Sequence, residues 1–157
     1  TKDEIENTLK NNALPLIPML KEAKPIINYG YLTSIKNQEL SKKNLKWNLD
    51  MIKSAIKINK ALINLDKDNN SRYCSDAVSY SLILNLRSLY IIGCLKNNEK
   101  WSAKSFLSLI KKISGSLEAY EGYLRVKNNE KIKETLPIRE AENLLGYNSK
   151  KMKEYEK

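Results

Sequence analysis

The chain has 157 residues, no histidine, two cysteines and a formal charge of +10, from 28 Lys and Arg against 18 Asp and Glu. Without imidazole, histidine acid–base catalysis and histidine metal ligation are excluded, and two cysteines cannot complete a four-ligand zinc site. Hydrophobic residues make up 41%, enough for one core, so a single helical domain over residues 1–157 is expected.

Thr1 to Glu4 fits a capping box for a short helix ending near Lys10, peripheral to the rest, with Asn11 and Asn12 closing it. Pro15 and Pro18 suit the first turn of a second helix, which can reach Ala23 before Pro25 forces a restart. A third segment, Ile26 to about Asn37, is apolar. Ser41 then caps a long helix over about 42–66, whose Leu45, Leu49, Ile52, Ile56 and Ile63 share one face, with Ala55 and Leu62 beside them. About a quarter-turn away, Lys42, Lys46, Lys53, Lys57 and Lys60 form a basic stripe. Such a stripe can track a phosphate backbone, although it holds no aromatic residue for stacking bases and a solvated face has the same pattern.

Residues 66–70 read as a loop. Asp66, Asp68 and Asn70 imitate the start of a calcium loop, but Ser71 stands where glycine is required and Ala77 where the bidentate glutamate belongs. A central helix runs from Ser75 or Asp76 to about Lys96 and is apolar nearly all round, which predicts walls on several sides. If Cys74 and Cys94 share it, they stand about 30 Å apart and cannot pair. Ser102 caps the next helix, with Trp101 just before it as a hydrophobic staple. The segment 114–116 is a break, and a helix resumes from Leu117 to about Lys127. Residues 128–135 form a connection, and Leu136-Pro137 opens a last amphipathic helix expected to fray over 147–157. Sustained period-2 alternation is absent, so strands are not expected and the fold class is an all-α bundle.

On the central helix, Asp76, Tyr80, Ile83, Tyr90 and Cys94 fall near the face of Arg87. A walled-in guanidinium needs a carboxylate, carbonyls, water or a ligand. Asp76 is about 16 Å away along the axis, so a structural partner would come from elsewhere, for example Asp50 or Glu118. The functional reading places Arg87, Tyr80 and Tyr90 around an anionic ligand, held bidentately by the guanidinium, with Lys104 and Arg125 extending the cleft.

The pattern Asp76 to Tyr80, Leu86 to Leu95 and Trp101 to Phe106 resembles the helical domain of HEPN-type proteins. More narrowly, it is similar to the helical substrate-binding domain that follows the catalytic domain in archaeal-type nucleotidyltransferases. Gly30 to Leu32, Glu39 to Leu49 and Ala119 to Arg125 carry the same likeness, which spans residues 29–127. The resemblance implies a helical bundle, often a homodimer, that binds nucleotides or nucleic acid beside a nucleotidyltransferase partner. It also implies an Arg-x(4–6)-His ribonuclease motif in some members. Arg87 holds the arginine position, but no histidine follows. The nucleotidyltransferase core of a Gly-Ser turn and a later Asp-x-Asp is missing as well.

The expectation is therefore a non-catalytic module without cofactor or metal, binding a nucleotide or other anionic substrate. The alternative is a basic nucleic-acid-binding protein using the Lys42–Lys60 face. An enzyme built on a carboxylate, Lys or Tyr of shifted pKa ranks last, since no such constellation stands out. Asn85 and Arg87 interrupt the longest apolar run and the first residues lack a secretory h-region, so a soluble cytoplasmic protein without membrane association is expected.

Overall fold

Capping and proline chemistry place the helix ends close to where the residues predict them. The computed structural model describes residues 1–36 and 39–157. Asn37, the expected end of the third apolar segment, lies outside the described residues. The described elements are α1 (Lys2–Asn11), α2 (Leu16–Glu22), α3 (Tyr29–Lys36), α4 (Lys42–Asp68), β1 (Tyr73–Ser75), α5 (Asp76–Lys96), α6 (Ala103–Ser114), α7 (Glu118–Lys127), β2 (Glu134–Pro137) and α8 (Ile138–Glu156). The expected all-α bundle is observed. Contacts divide the chain into two compact units, Thr1–Met51 and Ile52–Lys157, with the boundary inside α4.

In the first unit, the Glu4 amide donates to Thr1 Oγ1 at 3.3 Å, closing the N-terminal cap of α1. Pro15 sits at the N-cap of α2 and Pro18 in its first turn, where a missing N–H leaves no acceptor unpaired. Ser41 and Asn44 exchange hydrogen bonds at the start of α4, Asn44 N–H to Ser41 Oγ and Ser41 N–H to Asn44 Oδ1. Leu9, Ala13, Leu14, Ile17, Ile35 and Leu45 are buried here.

The second unit is assembled on α5. By length and mean hydropathy (1.4 over its most apolar window) α5 matches a bilayer-spanning helix, despite Asn85 and Arg87. Its apolarity is used in the core: α7 and α8 pack along it, and Val78, Leu82, Ile83, Leu86, Leu89 and Ile92 are buried. Close approach of α7 depends on Gly122, since a Cβ there would lie 2.6 Å from Asp76 Oδ1 and 2.8 Å from Ser79 Cβ. The N–H of Ser105 donates to the Ser102 hydroxyl, the expected cap of α6, and α6 ends at Gly115 in the left-handed region (φ 97°).

Three expectations are corrected. Strands do form: β1 and β2 pair antiparallel, with Tyr73 opposite Pro137 and Cys74 opposite Leu136. At three and four residues they are too short to show a period. They are selected by the burial of Cys74 and Leu136 and by α5, whose Asp76 amide donates to Lys133 O. Cys74 therefore lies in β1 rather than on the helix, and Leu136-Pro137 belongs to β2, with α8 beginning one residue later. Nor does α8 fray after Gly146. Asn148 Nδ2 donates to Leu82 O at 3.0 Å, Met152 is buried, and Tyr155 packs over Gly93, where a Cβ would meet its hydroxyl at 2.7 Å.

Candidate ligand-binding site

The walls around α5 are not complete. Ala77, Leu84 and Arg87 are exposed on one side of the helix, within about 80° of arc. Arg87 is therefore not the walled-in cation its helix suggests, because its position falls on the strip that α7 and α8 leave open. Among the described residues no carboxylate comes within ion-pairing distance of it. Both structural partners proposed for it are otherwise placed: Glu118 faces Arg125, and Asp50 is exposed.

The structural arginine is Arg125. Its side chain is 13% exposed and clamps the fully buried Asp76, with Nε to Oδ2 and Nη2 to Oδ1 both at 2.8 Å. The same Nη2 donates to Thr135 Oγ1 at 2.7 Å and to Glu118 at 3.3 Å. Asp76 also accepts from the Lys133 amide at 2.8 Å. Donation from Arg125 holds the Asp76 carboxyl below the usual carboxylate range, against the opposing effect of burial. This network ties α5, α7 and the approach to β2 together.

Arg87 lines a cavity of about 180 Å³ together with Ile83, Tyr90, Trp101, Phe106, Tyr120, Tyr123 and Lys127 among others. Helical spacing explains the aromatic content. Tyr120, Tyr123 and Lys127 lie at steps of 3 and 4 on α7, and Trp101 and Phe106 flank the cap of α6. The rings support one another: Tyr90 and Phe106 centroids are 5.4 Å apart, and Tyr120 and Tyr123 5.7 Å. Tyr80 does not reach the cavity but stacks on Tyr123 at 5.4 Å and 15°, bracing that wall from behind. Burial pushes the Tyr90 phenol above its ordinary pKa, so it stays neutral, and its oxygen accepts from the Ser102 amide at 3.4 Å. Lys127 lies 6.0 Å from the Tyr123 ring centroid, over the ring.

Of the five residues expected at this site, the structure brings together Arg87 and Tyr90. Tyr80 is one shell back, Lys104 is exposed on α6 without lining the cavity, and Arg125 is engaged by Asp76. Trp101, Phe106, Tyr120, Tyr123 and Lys127 were not singled out as site residues. The i, i+3, i+7 run of Tyr120, Tyr123 and Lys127 is the signal that points to them. On the other side of Tyr90, a cleft of about 400 Å³ mixes Lys112 and Lys151 with Glu99, and Lys151 is already bridged to Glu154 at 2.6 Å. It therefore has weaker electrostatic selectivity.

The lysines of the expected stripe on α4 are all exposed: Lys42 and Lys46 in the first unit, Lys53, Lys57 and Lys60 in the second. Lys53 is paired with Glu156 at 3.1 Å, which partly cancels one charge of the stripe. Among the described residues there is no group of His, Cys, Asp or Glu able to hold a metal ion. No family model, curated protein or solved structure matches the chain.

Proposed function

We propose that the Ile52–Lys157 unit is a HEPN-like, non-catalytic binding module that holds a nucleotide or a similar ring-bearing anion at the α5–α6–α7 cavity. It presents that ligand to a nucleotidyltransferase partner, in the cytoplasm. One observation carries the reading: an exposed guanidinium, without a carboxylate partner among the described residues, stands at the edge of an aromatic cavity, with Lys127 as a second cation. Small-molecule sites usually enclose about 300 Å³ or more, so a 180 Å³ space takes only part of such a ligand. The ring enters among Trp101, Phe106 and Tyr120, where stacking is worth about 1–3 kcal/mol per base. The phosphate stays at the rim, where Arg87 holds it bidentately and Lys127 adds charge.

The test is titration of Trp101 fluorescence in a Trp47→Phe background with adenosine monophosphate, adenosine and inorganic phosphate. Arg87→Ala should weaken the monophosphate about ten- to hundredfold and leave adenosine nearly unchanged, because only the charge-assisted contact is lost. Equal monophosphate affinity in a folded Arg87→Ala protein refutes the site. A small nucleotidyltransferase co-purifying with the chain supports the partner. Nucleic acid along Lys42–Lys60 is the second reading, checked by whether retardation of RNA or DNA falls as salt rises.

A further inference from the structure

Between α2 and α3 the first unit forms a projecting apolar tip. Ala23 leaves α2 with extended backbone (ψ 137°), and Pro25 keeps Lys24 out of a helix. Asn28, in the left-handed region (φ 58°), then turns the chain into α3, its carbonyl accepting from the Leu32 amide at 3.1 Å. The other end of α3 returns to Ala23, whose carbonyl accepts from Lys36 Nζ at 2.5 Å. Tyr31 ties α3 to α1, with Lys2 Nζ 5.3 Å from its ring centroid. Tyr29 stands about 10 Å from Lys36 along the helix axis, away from the Ala23 contact. Residues 24–30 are all exposed. Ile26 and Ile27, at 97% and 81%, are the most exposed large apolar residues among those described, and Tyr29 follows at 71%.

We propose that this tip dips reversibly into one leaflet of an anionic lipid bilayer. Ile26 and Ile27 enter the boundary between headgroups and acyl chains, and Tyr29, an apolar ring with a polar end, sits at the headgroup level. Charge selects an anionic surface. Residues 23–38 contain Lys24 and Lys36 but no Asp or Glu, and exposed Lys21 stands beside Glu22, the last acid before the tip. Shape favours lipid over protein. A stable protein interface takes about 800 Å² of matched surface per partner, more than residues 26–29 present, whereas a fluid leaflet needs no matching contour. A spanning helix needs about 20 consecutive apolar residues, the ground on which the sequence predicts no membrane association; a tip that enters one leaflet needs only a few. The tip belongs to the first unit and uses no residue of the ligand cavity.

Co-sedimentation of the full chain with lipid vesicles in about 0.1 M salt tests this, with phosphatidylcholine alone set against phosphatidylcholine carrying about 30% phosphatidylserine. The mixed vesicles should bind the chain at least about tenfold more tightly than the neutral ones. Ile26→Ser combined with Ile27→Ser should weaken that binding about a hundredfold, and Lys24→Ala about fivefold. The double serine variant keeps the net charge of +10, so it separates insertion from the general attraction of a basic chain. Both isoleucines are exposed, and circular dichroism checks that each variant is folded. A second measurement labels Ile27→Cys with a nitrobenzoxadiazole dye in the folded chain, where Cys74 and Cys94 are buried. The dye should brighten on mixed vesicles and be quenched by lipids brominated in their acyl chains. Failure to sediment with mixed vesicles, equal sedimentation of the double serine variant, or a dye that brominated lipids do not quench overturns the proposal.

Discussion

Replacing Arg125 by Met isolates the network that holds the second unit together. Met keeps much of the side chain's length and apolar body but removes every donor. Asp76, 0% exposed, then loses two charge-assisted bonds of 2.8 Å and keeps only the Lys133 amide. Two such bonds at about 1.5–3 kcal/mol each give about 3–6 kcal/mol. Breaking a buried pair by removing one partner costs about 3–5 kcal/mol. The two routes agree on about 4 kcal/mol, a large part of the about 5–15 kcal/mol that keeps a domain folded. Urea unfolding followed by circular dichroism at pH 7 measures it. The pH dependence supplies a second reading. In the native protein the Asp76 pKa is depressed by Arg125, so its stabilisation is present above about pH 4 and is lost as pH falls through the lower folded value. In Arg125→Met the buried carboxyl takes up a proton more readily, so acidification relieves its penalty. The gap between the two proteins should therefore narrow as pH falls from 7 towards 3. A loss below about 1 kcal/mol at pH 7, or a gap that does not change with pH, would refute the reasoning.

Other substitutions probe the packing. Gly122→Ala places a methyl against a fixed carboxylate oxygen and Ser79 Cβ, and should cost about 1–3 kcal/mol by urea denaturation. Gly93→Ala meets only the end of the Tyr155 side chain, which can swing away, so its cost should stay below about 1 kcal/mol in the same assay. Ser102→Ala removes the acceptor for the Ser105 amide and should lower stability by about 1 kcal/mol, read from the unfolding midpoint. Burial pushes the Cys74 thiol up to about 12, so it should resist an aromatic disulfide reagent at pH 8 until the protein is unfolded, and rapid reaction in the folded state would contradict its placement.

Residues alone were enough for the helices, and for local reasons. Thr1, Ser41 and Ser102 cap through atoms three residues away, Pro15 and Pro18 fit only a first turn, and the apolar run of 76–96 requires cover. The all-α class, the end of α6 before Gly115 and the place of Arg87 and Tyr90 at one cavity were legible in this way. What stayed hidden depends on which elements meet. Arg87 and Arg125 look alike in the chain, and only the docking of α7 gives Asp76 to one and leaves the other open to solvent. Asp76 and Arg125 are 49 positions apart, and no spacing rule joins them. The β1–β2 pairing and the ordered end of α8 are likewise selected by burial against distant residues, Leu136 on Cys74 and Tyr155 over Gly93. Periodicity places a side chain on one face of its own helix, whereas its exposure and its partner depend on what the other helices cover.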